Sequence, residues 1–562
     1  MVKKSNGSEK SKKYGCTLGF LLLALGCCGC GAEAEPKAGT ENGLEVEAGT
    51  ENGGETEDES ETNEETGTES GQEAEIETGS ETQKEDSMLT QGYKGMDHTN
   101  PLMTQSFGAD PYAMVYGDRV YLYMTGDVFE YDGEGNIVEN TYGQIRQIRV
   151  ISTDDMVNFT DHGAVLAASD AGAAKWAHNS WAPAAAWKEI DGKPRFFLYF
   201  ADAGGGIGVL QSDSPTGPFT DPLGKALISR QTPNCADVLW LFDPAVLTDD
   251  DGRAYLYFGG GVPEGRQADP GTGRVVELGE DMTSIVGEPV KIDVPYLFED
   301  SGIHKAGDKY YYTYCTNWQV DEEGTAKYGF RSGEIACMVS DSPMGPFEYK
   351  ETILKNPGGT FGLYGNNHHC VFRFRDNWYI TYHTRVLEKA MGVEKGYRCT
   401  HIDGFTMQED GTIGTIRQTL KGREQLKYVD PYEENRAAGM AVMGGIRCVP
   451  ADETGREYGC GNMALGDIDT GDFVKVQGVD FAGEGASRVV VTARNAQGGE
   501  GSIEIRLDGP EGEVIGKVSV SEAAGDAFTE CSADIKPVGG VHDLFFIFSG
   551  EGYEVETWRF IQ

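Results

Sequence analysis

Basic residues are scarce in this chain of 562 residues: 47 Lys and Arg stand against 91 Asp and Glu, a formal net charge of -44. So acidic a chain repels phosphate backbones, which excludes nucleic acid as a partner. Long apolar runs are absent, and the run from Leu18 to Leu25 is too short to cross a bilayer. Aromatic residues are missing altogether between Ala32 and Ser87, where Glu, Thr, Gly, Ser and Asn dominate. Such a stretch cannot bury enough apolar surface to offset its conformational entropy, so a packed domain is excluded there. Cys235, Cys315, Cys337, Cys370, Cys399, Cys448, Cys460 and Cys531 contain no Cys-x-x-Cys pair, which argues against a metal–thiolate site. Disulfides among them are open to a chain outside the cell, but their pairing does not follow from spacing.

What is present begins with a leader. Lys3, Lys4, Lys10, Lys12 and Lys13 precede the Leu18–Leu25 run, as in a secretory signal peptide, and the run ends in Ala24-Leu25-Gly26-Cys27, which resembles a bacterial lipobox. Residues 1–30 are therefore expected to be signal peptide and lipobox, with Cys27 carrying the lipid and Cys28 and Cys30 as alternatives. An uncleaved anchor is the competing reading. Residues 31–87 are expected to be an acidic, disordered, self-repelling linker. Together these put the mature protein on the extracellular face of a bacterial membrane, or free in the medium, as a monomer.

The middle of the chain repeats itself. Ser212 to Phe219 reads SDSPTGPF, Ser340 to Phe347 reads SDSPMGPF, and Ser152 to Phe159 gives a looser STDDMVNF. The implied period is about 60 to 65 residues, and five such units fit between Thr99 and Tyr428. Each unit opens on a strand, a Gly or Asp turn and a second, aromatic-rich strand: ADPYAMVYGDRVYLYMT, APAAAWKEIDGKPRFFLYF, DPAVLTDDDGRAYLYFGG, EDSGIHKAGDKYYYTYC and HHCVFRFRDNWYITYHT. These are hairpin signals without helical periodicity between them. The fold class expected is all-β, with a five-bladed β-propeller at residues 88–428 and its innermost strands around a central axis; a β-sandwich is the alternative.

Four openings carry a titratable group in their first position, Asp110, Asp243, Glu299 and His368, while the second offers Trp181-Ala182-Pro183. Three carboxyl groups converging from different blades suit glycoside hydrolysis, which needs an ionised carboxylate, a protonated acid and a way to hold their pKa values apart. Asp before Pro is also a common turn residue, but that reading does not cover Glu299 or His368. Trp181 could stack on a sugar ring, and Trp176 could share that wall or simply pack in the core.

The ADPYAMVY, WAPAA, FDPAVLTDDDGRAYLYFGG, FEDSGIHK and GNNHHCVF segments, in this order and spacing, resemble glycoside hydrolase family 43, and more closely its arabinoxylan arabinofuranohydrolases. The resemblance implies Asp110 as the base that activates water, Glu299 as the acid that protonates the leaving oxygen, and Asp243 as the group that orients Glu299 and raises its pKa. It implies inversion, with base and acid about 6.5 to 9.5 Å apart. Asp300 is a rival acid that strand alternation should turn away from the axis. Of His368 and His369, the alignment selects His368 as the family's channel histidine, beside which a structural Ca2+ or a water cluster is expected; one imidazole is a poor calcium ligand set. Arg398, in GYRCTHID, matches an arginine that approaches the terminal sugar, where its fork of donors could hold vicinal hydroxyls; Arg385 is the alternative.

From Tyr432 onward, short alternating strands such as SRVVVTARN and GSIEIRLDG predict a β-sandwich of jelly-roll type over residues 429–562. IDTGDFVKVQGVDF and GGVHDLFFIF resemble a family 6 carbohydrate-binding module. Arg436-Ala437-Ala438 stands where that family places calcium-binding acids, and Asp467 and Ala527 stand where it places sugar-stacking aromatics, with Phe528 one position away. The expected activity is release of α-L-arabinofuranosyl side chains from arabinoxylan, with plant cell-wall polysaccharide (arabinoxylan, xylan or arabinan) as partner. A β-xylosidase or endo-arabinanase of the same fold is the alternative, and a non-catalytic glycan-binding lipoprotein is the reading from another class.

Overall fold

A computed structural model describes residues 92–562, except 484, 496, 497, 499 and 522–524. The expected signal peptide, Cys27 and the acidic linker lie outside the described residues. Five antiparallel sheets follow one another along the chain. They are built from Ala109–Tyr116, Arg119–Thr125, Gln147–Thr153 and Phe159–Leu166; from Trp181–Ile190, Lys193–Ala201, Gly206–Ser212 and Ile228–Ser229; from Ala245–Thr248, Ala254–Phe258, Gly273–Leu278 and Ile285–Ile292; from Leu297–Ala306, Lys309–Thr316, Ile335–Ser340 and Glu348–Leu354; and from His369–Phe374, Asn377–Thr384 and Cys399–Phe405.

The first strand of each sheet touches that of the next, and the fifth touches the first, so the inner strands close a ring. The centre is packed: the Tyr112 hydroxyl of the first sheet donates to the Val246 carbonyl of the third at 2.7 Å. Closure is helped by the segment before the first strand. It runs along the fifth sheet, where the Leu102 and Gly108 amides donate to the Thr400 and Arg398 carbonyls.

The aromatic second strands fill the space between sheets. Tyr123, Tyr199, Tyr255, Tyr257, Tyr312 and Tyr314 are each at most 1% exposed, and burying each ring is worth roughly 2 kcal/mol. The repeated SDSP turns are held alike: Tyr123 of the first sheet donates to the Pro215 carbonyl, and Tyr257 of the third to the Pro343 carbonyl, both at 2.6 Å. Gly117 and Gly307 open the matching two-residue turns with φ of 59° and 57°, a conformation a side chain would strain.

The C-terminal residues form two further sheets. One runs Arg447–Pro450, Met463–Gly466, Glu554–Ile561, Ala486–Asn495, Gly525–Val538; the other runs Val442–Gly444, Phe473–Asp480, Val541–Ser549, Gly501–Leu507, Val514–Val520. Their facing sides share a core of Val, Ile and Phe in which Phe546 lies 5.3 Å from Trp558. This domain is stitched to the ring. Gly439–Met440 pairs with Phe159–Leu166 as a fifth strand of the first sheet. The Gln477 amide donates to Asn158 Oδ1 at 2.8 Å, and Lys475 Nζ donates to the Met96 carbonyl at 2.8 Å. The eight cysteines named above are all free thiols, so no disulfide joins any of them.

Candidate active site

Three of the five inner strands begin on bulges, which the sequence does not reveal. Register slips between Ala109 and Tyr112, between Trp181 and Ala184, and on both sides of Glu299. Left-handed backbone appears at Asp110 (φ 45°), Ala182 (42°), Asp243 (47°) and Asp300 (68°). A residue with a β-carbon pays about 1 kcal/mol or more for that conformation, and the bulge re-aims its neighbours. The equivalence read from the sequence is corrected accordingly: Asp110, Ala182, Asp243 and Asp300 share one position. Glu299 and His368 stand one residue earlier, where the second sheet has Trp181. The bulge also overturns the alternation argument for Asp300, whose carboxylate comes within 3.1 Å of His368 Nε2.

Asp110 sits at the centre of the cluster, 4% exposed. Its Oδ1 accepts from Arg398 Nη1 at 2.8 Å, with His383 Nδ1 at 3.2 Å and His368 Nδ1 at 3.5 Å. Burial alone would raise its pKa, but Arg398 first, then His368 and His383, outweigh burial and hold the carboxyl far below the usual range. Arg398 is itself fixed by Asp127, which accepts from Nε at 2.9 Å and from Nη2 at 2.8 Å. Three of the five guanidinium N–H groups are thus taken by two carboxylates, which fixes the fork beside Asp110 and leaves the other two for a sugar hydroxyl.

Glu299 is the opposite case. It is 8% exposed, and among the described residues its Oε1 finds no hydrogen-bond partner. Burial, then the charges of Asp243, Asp110 and Asp300, push its pKa well above the usual range. Asp243 is raised as well, by burial and by Asp110, so the pair shares a proton. The Asp300 amide, which donates to Asp243 Oδ2 at 2.9 Å, favours the anion on Asp243, whereas Glu299 Oε1 has no such donor among the described residues. Replacing Asp243 by Asn should therefore let Glu299 ionise more readily. Activity that needs protonated Glu299 is lost as pH rises through its pKa, so the alkaline limb of kcat/KM should move to lower pH. An unshifted limb would count against this coupling.

Behind the cluster, His368 lies between carboxylates, with Nδ1 3.5 Å from Asp110 and 3.8 Å from Asp243, and Nε2 3.1 Å from Asp300. Asp300, completely buried and pushed up to about 7 chiefly by burial, also takes His369 Nδ1 on its other oxygen. Among the described residues no group of three or more His, Cys, Asp or Glu is arranged to hold a metal ion. The His368 nitrogens themselves occupy the ground between these carboxylates, so the donor set does not fit Ca2+ there, and no step below is routed through calcium.

Trp181 reaches the site's edge, half-buried, with its indole N–H donating to the Tyr142 carbonyl at 2.9 Å. Tyr142 lies against Arg398, its ring centroid 4.8 Å from the guanidinium carbon. Two other expected site residues are held elsewhere. Trp176 stacks on Phe200 at 6.1 Å and donates to Asp221 at 2.8 Å, which makes it a packing residue. Arg385 pairs with Glu388 and donates to the Tyr364 carbonyl. Asp127, Tyr142 and His383 were not read from the sequence. His383 could have been found, since it follows Tyr382 on the strand paired with His369; Asp127 and Tyr142 lie in a stretch without any repeat signal.

In the C-terminal domain, Asp467 and Ala527 are exposed. The Phe528 ring is covered by Arg494, whose guanidinium carbon is 4.5 Å from its centroid. Arg436 pairs with Glu556, and Ala437 and Ala438 are buried.

Comparison with known proteins gives two family matches: residues 98–413 match the model of glycosyl hydrolases family 43, and residues 437–562 that of the carbohydrate binding module, family 6. An arabinoxylan arabinofuranohydrolase from Paenibacillus polymyxa is 45% identical over 82% of this chain and 74% of its own length. One from Bacillus subtilis (strain 168) is 43% identical over 84% of this chain and 93% of its own. The solved structure of a family 43 arabinoxylan arabinofuranohydrolase from Bacillus subtilis, in complex with cellotetraose, superposes with a TM-score of 0.80 at 42% identity, covering 84% of this chain and 100% of that one.

Proposed function

The chain belongs to glycosyl hydrolases family 43 and carries a family 6 carbohydrate-binding module, and from that premise we propose that it removes α-L-arabinofuranosyl side chains from arabinoxylan with inversion of configuration. The observation that carries the mechanism is the opposite environment of two acids in one cluster: Asp110 held ionised by Arg398, and the pKa of Glu299 raised by burial beside Asp243. Asp110 accepts a proton from a water, which attacks the anomeric carbon. Glu299 delivers its proton to the glycosidic oxygen as the bond to the polymer breaks; after product leaves, Asp110 releases its proton to solvent and Glu299 takes one from solvent, a return that Asp243 favours. Because Asp110 is a weak base, it chiefly orients the water and takes its proton only as the bond to the anomeric carbon forms; the proton transfer from Glu299 supplies the larger chemical push.

In this reading the five sheets are the blades of a β-propeller, supported by the contact of the first and fifth inner strands, and the C-terminal sheets are a jelly roll. The same proposal sets the protein outside the cell as a monomer, tethered through Cys27, on the strength of the basic start and the short apolar run before it. Wheat arabinoxylan is the substrate for the test. Arabinose as the released sugar, appearing first as the inverted anomer in proton NMR, is expected; release of xylose, or a retained anomer, would overturn the substrate or the stereochemical assignment respectively.

A further inference from the structure

Tyr142 is held in an unusual way for a residue of a surface loop. Its φ is 62°, a left-handed conformation that a tyrosine rarely adopts. Four contacts fix the backbone there: its amide donates to Asn140 Oδ1 at 2.9 Å, and its carbonyl accepts from Trp181 Nε1 at 2.9 Å, from Asn179 Nδ2 at 3.2 Å and from the Ile145 amide at 3.4 Å. The effect is to lay the ring on Arg398, 4.8 Å from the guanidinium carbon, and edge-on to Trp181 at 6.2 Å. Arg398 is the residue that holds Asp110. The ring is half-buried, and among the described residues its hydroxyl has no hydrogen-bond partner.

We propose that Tyr142 is a specificity-determining residue, whose ring shields the Arg398–Asp110 ion pair from water and whose hydroxyl donates to a hydroxyl of the sugar being released. This rests on the catalytic reading of Asp110 and Glu299 given above. The phenol senses both acids, and its pKa is pushed up to about 12, mainly by burial, so it stays a donor throughout the working range. A backbone strained to present one aromatic face and one free hydroxyl beside the base is what a site needs if it must recognise a hydroxyl; a site built to bond a hydroxyl discriminates strongly against sugars that place it elsewhere. Excluding water above Arg398 also strengthens its pull on Asp110.

The test uses the full chain with Tyr142→Phe and Tyr142→Ala, assayed on 4-nitrophenyl α-L-arabinofuranoside and 4-nitrophenyl β-D-xylopyranoside. The preferred sugar of the wild type tests the substrate reading, and the variants test Tyr142 on whichever sugar is cleaved. Tyr142→Phe is expected to lower kcat/KM on that sugar by about 10-fold or more with thermal unfolding unchanged. Tyr142→Ala is expected to lower it further and to narrow the ratio between the two sugars. A merely structural tyrosine would lower the unfolding temperature and affect both substrates equally. Wild-type kcat/KM in Tyr142→Phe, or an unchanged sugar ratio in Tyr142→Ala, would overturn the proposal; a wild type that prefers the xylopyranoside would instead overturn the arabinose reading.

Discussion

Glu299→Gln should lower kcat on arabinoxylan by about 10^3-fold or more, and the loss should depend on the leaving group. Gln fills nearly the same volume as Glu, so packing beside Asp243 survives; what disappears is the proton. A polymer hydroxyl is a poor leaving group and needs that proton, whereas a dinitrophenolate leaves without it. Dinitrophenyl arabinoside should therefore recover much of the lost rate in Glu299→Gln. It should recover little in Asp110→Asn, where the defect lies in the attacking water and no leaving group compensates. Equal losses on both substrates in Glu299→Gln would show that Glu299 is not the acid. Asp300, the remaining candidate, has both carboxylate oxygens beside histidine nitrogens and so has no free position for a leaving oxygen.

Removal of residues 430–562 should lower the unfolding temperature of the ring by roughly 10 °C or more, or leave it insoluble. The cause is local. Truncation strips Gly439–Met440 from the edge of the first sheet and leaves Phe159–Leu166 as an unpaired, partly apolar edge, a template for aggregation. It uncovers Val157, which packs with Ala441 and Val442, and leaves Asn158 without Gln477. The Asp155 turn that organises this corner accepts the Val157 and Asn158 amides at 2.8 Å and would lose its neighbour Gln477. A truncated chain that is soluble and melts with the full-length protein would show that the C-terminal domain is an appendage and not part of the ring's stability.

Patterning along the chain sufficed for the all-β class, the five hairpin units, the change of texture after Tyr428 and the expectation that Asp110, Asp243 and Glu299 come together. Each of these depends on residues close in sequence: a turn between two aromatic strands, or an acid at the mouth of a strand. The motif order then set the family, because five weak signals in fixed succession are specific together.

What the sequence by itself determined is therefore that Asp110, Asp243, Glu299 and His368 stand at the openings of the repeats and that the chain is a hydrolase. Only the tertiary structure decided how they divide the work. The left-handed backbone at Asp110, Ala182, Asp243 and Asp300 interrupts strand alternation, so Asp300 joins the cluster although the two-residue period turns it away. Asp127, far from Arg398 in the chain, fixes the guanidinium that motif matching had placed near the sugar. Trp176 and Arg385, similar in type to the residues that do reach the site, are taken up by Asp221 and Glu388 instead. The charge states follow the same rule: Asp110 and Glu299 are both buried carboxyls, and what separates them is the cation at 2.8 Å from one and the missing donor at the other. Such differences arise from contacts between residues remote in sequence, where periodicity and spacing carry no information.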